Sequence, residues 1–174
     1  SGVLGLAPTS GRTFVAVEQL VVSNGRFEPV VQGQGGSLGT YIAIDTNTFS
    51  TAGNLEGVIT PNNSYDTATA TSTIAARVHV YTLSTLTAGT DVLTSIAYRV
   101  NGTAQTLTRR GGAGNGKQED FSGANYTAVG SAFVSTTGAS GDAMVAEVLV
   151  YDHALNGTDT AAVEAALKAR YGIP

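Results

Sequence analysis

The chain has 174 residues, of which 42% are hydrophobic and only 13% charged; its net charge is −4, and it has two His but neither Cys nor Trp. That length suits one domain spanning residues 1–174, and the missing Cys excludes disulfides, thiol catalysis and Cys-ligated zinc. An acidic balance without a basic stripe argues against a duplex nucleic-acid partner, and no 18-residue apolar run offers a membrane-spanning helix.

Strand patterns follow one another from the start. Ser1–Arg12 has no basic segment ahead of a long apolar run, so it is not read as a signal peptide, and the chain reads as a module of a larger protein. Thr13–Val22 is rich in β-branched and aromatic residues and predicts a strand. Phe27–Gln32 follows, with Pro29 suggesting an edge or irregular position. Gly33, Gly35 and Gly36 mark a loop before Leu38–Ile44. Leu55–Ile59 is short and gives way to a polar loop containing Tyr65. Ile74–Leu83 is a strong strand pattern. Leu93–Val100 and Thr103–Thr108 flank Asn101-Gly102, the dipeptide that best fits a type I′ hairpin, whose two central residues both need φ > 0. Tyr126–Val134 and Ala143–Tyr151 complete the set, the last almost wholly apolar, as in a strand covered on both faces.

Only the C-terminus reads as helix. Asn156 can cap it, with Asp159 three residues on in a capping-box variant. Val163 and Leu167 lie four apart on one face, Tyr171 extends that stripe, and Gly172 ends it. Many short strands and one terminal helix predict an all-β, two-sheet sandwich with a peripheral helix.

The segment Gly141–Leu155 (GDAMVAEVLVYDHAL) resembles the closing strand of laminin-G-like domains in the concanavalin A-like lectin/glucanase superfamily. Those domains end on G-D-I-A-E-V-x-V-Y-D-R-A-L-S, a short helix, and Y-G-I; here Tyr171-Gly172-Ile173 stand at the matching distance. Thr13–Val17, Arg77–Val80, Tyr98–Gly102 and Ala128–Gly130 are similar to further family elements. Val78 stands where the family often has Trp, and His153 where it has Arg. The resemblance implies an antiparallel jelly-roll sandwich with a short C-terminal helix, binding glycans or proteins, often with Ca²⁺. Some relatives are glycosidases or lyases, and fold alone does not choose among these activities.

The chemistry of the residues narrows the choice. Glycoside hydrolysis needs two carboxylates roughly 5–10 Å apart. The E-x-D-x-x-E strand pattern of catalytic relatives is absent, as are the Arg-x-Glu and Gln-x-His signatures of lyases with this fold. Glu119 and Asp120 are neighbours, which on a strand face opposite sides. His79 and His153 are too few for zinc catalysis and lack a G-x-S-x-G nucleophile context; a core-facing or surface histidine is the simpler reading. Gly111–Lys117 satisfies G-x-x-x-x-G-K, but Gln118 replaces the Mg²⁺-binding Ser/Thr and no helix pattern follows, so it is no phosphate loop. It remains a polar rim segment in which Arg109, Arg110 and Asn115 could contact a ligand. Tyr65 and Tyr126, the latter beside Asn125, are the aromatic candidates for stacking on sugar. Tyr41, Tyr81 and Tyr98 read as core. Asp45, Asp142, Glu147 and Asp152 offer oxygen ligands for Ca²⁺, which takes six to eight. The competing reading of Glu147, in an apolar strand, is an ion pair or hydrogen bonds.

The expectation is a non-catalytic binding module, carbohydrate-binding (lectin-like) or adhesive, on an extracellular, cell-surface or virion protein. Its partner would be a glycan or a surface protein. The alternative is a structural or protein-interaction domain of a virion or cell-surface assembly with no small ligand. The low charge and many small hydroxyl side chains fit either.

Overall fold

The computed structural model describes residues 10–20, 30–33, 42–46, 55–59, 64–67, 76–85, 95–109, 126–129 and 143–174. In chain order these form β1 (Ser10–Leu20), β2 (Val30–Gly33), β3 (Ile42–Thr46), β4 (Leu55–Ile59), β5 (Ser64–Thr67) and β6 (Arg77–Thr85). Then come β7 (Ile96–Val100), β8 (Thr103–Ala104), β9 (Leu107–Arg109), β10 (Tyr126–Val129), β11 (Ala143–Tyr151) and the helix α1 (Gly157–Tyr171). One sheet has the order β11-β1-β6-β7-β8 and the other β10-β2-β3-β4-β5-β9, with antiparallel pairing throughout.

The β7–β8 hairpin turns on Asn101 at φ 50° and Gly102 at φ 88°, the two positive angles that a type I′ turn demands. Asn101 is tied down further. Its side-chain Oδ1 accepts from the Val78 N–H at 2.8 Å, and its own N–H donates to the Val78 carbonyl at 2.9 Å. The second hairpin arm is shorter than its sequence suggests. β8 ends at Ala104, and the chain resumes as β9 on the other sheet, paired with β5. Two further expectations shift. β2 begins at Val30 and lies between β10 and β3, an inner position among the described strands, and Pro29 lies outside the described residues. Tyr65 sits within β5, not in a loop.

The strand buried on both faces is β1, not β11. Residues 12–18 of β1 are all buried, whereas β11 ends its sheet among the described residues and leaves Met144 58% exposed. The cause is position: β1 has a strand on each side, and each of its faces is covered. On one face Val15, Val17, Val78 and Val80 pack against Leu167 and Ile173, with Val163, Leu149 and Tyr151 at the margin. The opposite face, carrying Phe14, Ala16, His79 and Tyr98, is the inner face of the sandwich.

Helix α1 follows the sequence expectation closely. The Asn156 side chain accepts from the N–H groups of Thr158 and Asp159 at 2.9 and 3.0 Å, and its amide donates to Asp159 Oδ2 at 2.7 Å. Gly172 takes the left-handed conformation at φ 63°, and the Ile173 N–H donates to the Lys168 carbonyl at 2.9 Å, closing a Schellman-type end. We expect Asn156→Ala to lower stability by about 1 kcal/mol. A urea midpoint equal to wild type would show that the cap contributes nothing. The β11–α1 connection is pinned by Thr13, whose hydroxyl donates to the His153 carbonyl at 3.2 Å and accepts from the Leu155 N–H at 2.9 Å.

Candidate functional site

Two polar constellations stand out, on opposite faces of the same sheet. The first lies on the inner face. Pairing sets Glu18 directly opposite Arg77, Ala16 opposite His79, and His79 opposite Val100. Glu18 and Tyr98 thus each stand diagonally to His79 and within its reach. His79 Nε2 lies 2.6 Å from Glu18 Oε1, and Nδ1 lies 2.6 Å from the Tyr98 hydroxyl. One neutral tautomer serves both bonds, with Nε2–H donating to the carboxylate and Nδ1 accepting the phenolic proton. Arg77 Nε is 3.8 Å from Glu18 Oε1. Burial lowers the Arg77 pKa, and the charge of Glu18 opposes that shift. Glu18, Arg77 and His79 are at most 2% exposed and Tyr98 only 5%. A ligand cannot touch them without displacing the core, so the network is structural. Of the core-facing and surface positions expected for the histidines, His79 takes the core-facing one, and Tyr98 takes the core role expected for it.

The second constellation joins α1 to β11 and β7. Glu147 Oε2 accepts from Arg170 Nη1 at 2.7 Å and from the Tyr171 hydroxyl at 2.9 Å. This is the ion-pair reading of a carboxylate in an apolar strand. On the helix, Glu164 is buried and receives Arg99 Nε on both carboxylate oxygens, at 3.1 and 3.0 Å. Arg99 also donates to the Gly102 carbonyl, and Lys168 Nζ donates to the Asn101 carbonyl at 3.3 Å. The helix therefore grips the hairpin turn as well as β11. The two bonds hold the Glu147 carboxyl below the usual carboxylate range, the Tyr171 hydroxyl being the larger influence and Arg170 the second. With the folded pKa below the unfolded one, this stabilisation is present above the unfolded pKa and is lost as pH falls through the folded pKa. We expect the Tm gap between wild type and Glu147→Gln to close in acid. A gap that stays constant on acidification below the carboxylate range contradicts this.

The sequence-derived ligand candidates divide. Register places Tyr65 on β5 directly opposite Arg109 on β9. Tyr126 pairs with Gly33 at the far side of that sheet. Four strand spacings separate β10 from β5, about 19 Å, so Tyr126 does not join the Tyr65–Arg109 pair. Asn125, Arg110 and Asn115 lie outside the described residues.

The oxygen-ligand candidates for Ca²⁺ are spread likewise. Asp45 lies on β3, opposite Glu56 of β4, which in turn stands opposite Asp66 of β5. That row of acidic residues had no signature in the sequence, because it exists only once three strands are in register. Glu147 and Asp152 are five positions apart along one extended segment, about 16 Å, and do not meet. Asp152 is exposed, with His153 Nδ1 at 2.8 Å. Asp142 lies outside the described residues. Among the described residues no group of three or more acidic or His side chains is placed to hold a metal ion, so Glu147 and Asp152 do not fit one Ca²⁺ shell.

No protein-family model matches the chain, and no curated protein sequence matches it. Solved structures do. Trypanosoma rangeli sialidase in complex with sialic acid is similar with a TM-score of 0.64 at 11% identity, over 91% of this chain but only 23% of the sialidase. The CBM40 of Ruminococcus gnavus IT-sialidase, bound to α2,6-sialyllactose, gives 0.61 at 13% identity over 90% of this chain and 84% of that one. The heptameric SAP-like pentraxin of Limulus polyphemus gives 0.61 at 13%, over 91% of this chain and 72% of that one. The fold is a jelly-roll, concanavalin-like sandwich. At such identities the likeness speaks to fold alone. The all-β sandwich with a terminal helix expected from the sequence is the fold observed.

Proposed function

We propose that this chain is a non-catalytic carbohydrate-binding module of a larger extracellular or surface-exposed protein, laminin-G-like in its closing segment. The observation that carries the reading is coverage. The match spans nearly the whole of a sialyllactose-bound carbohydrate-binding module, 84% of its length, yet under a quarter of a full sialidase, 23%. Chemistry supports it from the other side. Three carboxylates of the first sheet and its helix are engaged in ion pairs or hydrogen bonds rather than poised as an acid–base pair: Glu18 with His79, Glu147 with Arg170 and Glu164 with Arg99. The proposed contacts from the sequence are Tyr65 with Arg109, and Tyr126, Asn125, Arg110 and Asn115, the aromatic rings stacking on sugar and the polar groups bonding its hydroxyls.

A glycan array run with and without EDTA tests this. Concentration-dependent binding to defined glycans is the expected result, and the EDTA arm reads whether Ca²⁺ takes part. Silence across the array overturns the reading and favours the alternative, a structural or protein-interaction domain of a virion or cell-surface assembly.

A further inference from the structure

Where α1 ends, the outer face of the first sheet continues past it. Val17, Gln19 and Ala76 lie on that face, and with Met144, Val145, Ala146 and Tyr171 they line a cavity of about 350 Å³, which Glu18 borders with its side chain buried on the other face. Its shape has a local cause. The β1–β11 register slips between Val17 and Glu18: Val17 faces Glu147, Glu18 faces Val145, and Ala146 is the extra residue of a bulge. Such bulges re-aim side chains at sheet edges. Met144 and Tyr171 are the two large apolar side chains exposed among the described residues, and both belong to this cavity.

We propose that this cavity is a sugar-binding subsite that seats one pyranose ring against the face of Tyr171. The inference rests on the carbohydrate-binding reading and places a contact that the sequence alone did not suggest. The volume falls within the range of small-ligand pockets, roughly 300–1,000 Å³. The chemistry is amphipathic in the way a pyranose is. Apolar Val17, Ala76, Val145 and Met144 meet its C–H face, and Gln19 and the adjoining Glu147–Arg170 pair supply donors and acceptors for its hydroxyls. Glu147 spends Oε2 on both Arg170 and Tyr171, leaving Oε1 as an acceptor. The same bond to Glu147 fixes the Tyr171 ring before a ligand arrives, which lowers the entropy lost on binding.

Met144 is the sole methionine of the chain, so ¹³C-methyl-methionine labelling yields a single NMR signal from the cavity wall. The probes are α2,3- and α2,6-sialyllactose, lactose and the strongest glycan on the array, titrated into wild type, Tyr171→Ala and Tyr171→Phe. We expect the Met144 methyl signal to move and saturate in wild type. Tyr171→Ala should weaken binding about tenfold or more, a loss of 1.4 kcal/mol, while Tyr171→Phe, which keeps the ring, should lose less. If a glycan binds but the Met144 signal stays still, the subsite is overturned and the carbohydrate-binding reading stands. That wild-type measurement decides the matter even where a variant misfolds. If no glycan binds wild type, the parent reading fails and the subsite with it.

Discussion

Glu18→Ala is expected to destabilise the protein by about 3–5 kcal/mol, the cost of removing one partner from a buried ion pair. Glu18 Oε1 serves His79 Nε2 at 2.6 Å and lies 3.8 Å from Arg77 Nε, and all three side chains are at most 2% exposed. Removing the carboxylate takes away the opposite charge that offsets burial of the Arg77 guanidinium. It also removes the acceptor of the His79 N–H, which then has to find another in a dry interior. The small alanine side chain adds a cavity to these electrostatic losses. Glu18→Gln separates the two contributions. It keeps the volume and an acceptor oxygen, so its loss should be the smaller, the difference reporting packing and hydrogen bonding rather than charge. The network is not fully satisfied even in wild type: Glu18 Oε2 is buried with no hydrogen bond among the described residues. Equilibrium urea unfolding at neutral pH gives both numbers. A Glu18→Ala loss under about 1 kcal/mol, the size of a single ordinary hydrogen bond, would sink the claim that this network anchors the inner face.

Leu167→Ala should cost about 2–5 kcal/mol, the range for truncating a buried leucine. Leu167 is 4% exposed and packs among Val15, Val17, Val78, Val80 and Ile173. It is the side chain by which α1 closes the outer face of β1 and β6. The deletion leaves a hole between a helix and a sheet that are each held elsewhere. Asn156 caps one end of the helix, and Arg99 and Lys168 bind it to the hairpin turn. These ties oppose collapse of the helix into the gap, which argues for the upper part of the range. Ala166, exposed one residue earlier on the helix, is the matched control, and Ala166→Lys should change stability by no more than about 0.5 kcal/mol. Equal losses at the two positions would mean that the outer face of the sheet does not depend on α1.

How much of this was legible beforehand follows the range of the interactions. The Asn101-Gly102 turn, the span of β11, and the Asn156 and Gly172 ends of α1 were readable because a few adjacent residues settle backbone angles and caps. Tyr65 and Arg109 were both singled out as ligand candidates, but nothing local could set them opposite each other. Tyr171 was read as extending the Val163–Leu167 stripe, since its spacing from them is helical. It is 37% exposed, and its hydroxyl donates to Glu147 across on β11. A lone carboxylate in an apolar strand, opposite a helix ending in Arg170-Tyr171, was the signal that could have revealed it.

The sequence by itself determined the short-range features: which segments are extended, where the hairpin reverses, where the C-terminal helix starts and stops, and hence the mostly-β class. Tertiary structure alone decided which strand is central. β11 is the most apolar stretch, yet β1 is the strand buried on both faces, because pairing order rather than composition allots the middle position. It also decided that Glu18, Arg77 and His79 lie inside, and that Glu164 meets Arg99, 65 residues away. Those outcomes depend on register between segments far apart in the chain, and periodicity within a segment carries no record of which strand will lie beside it.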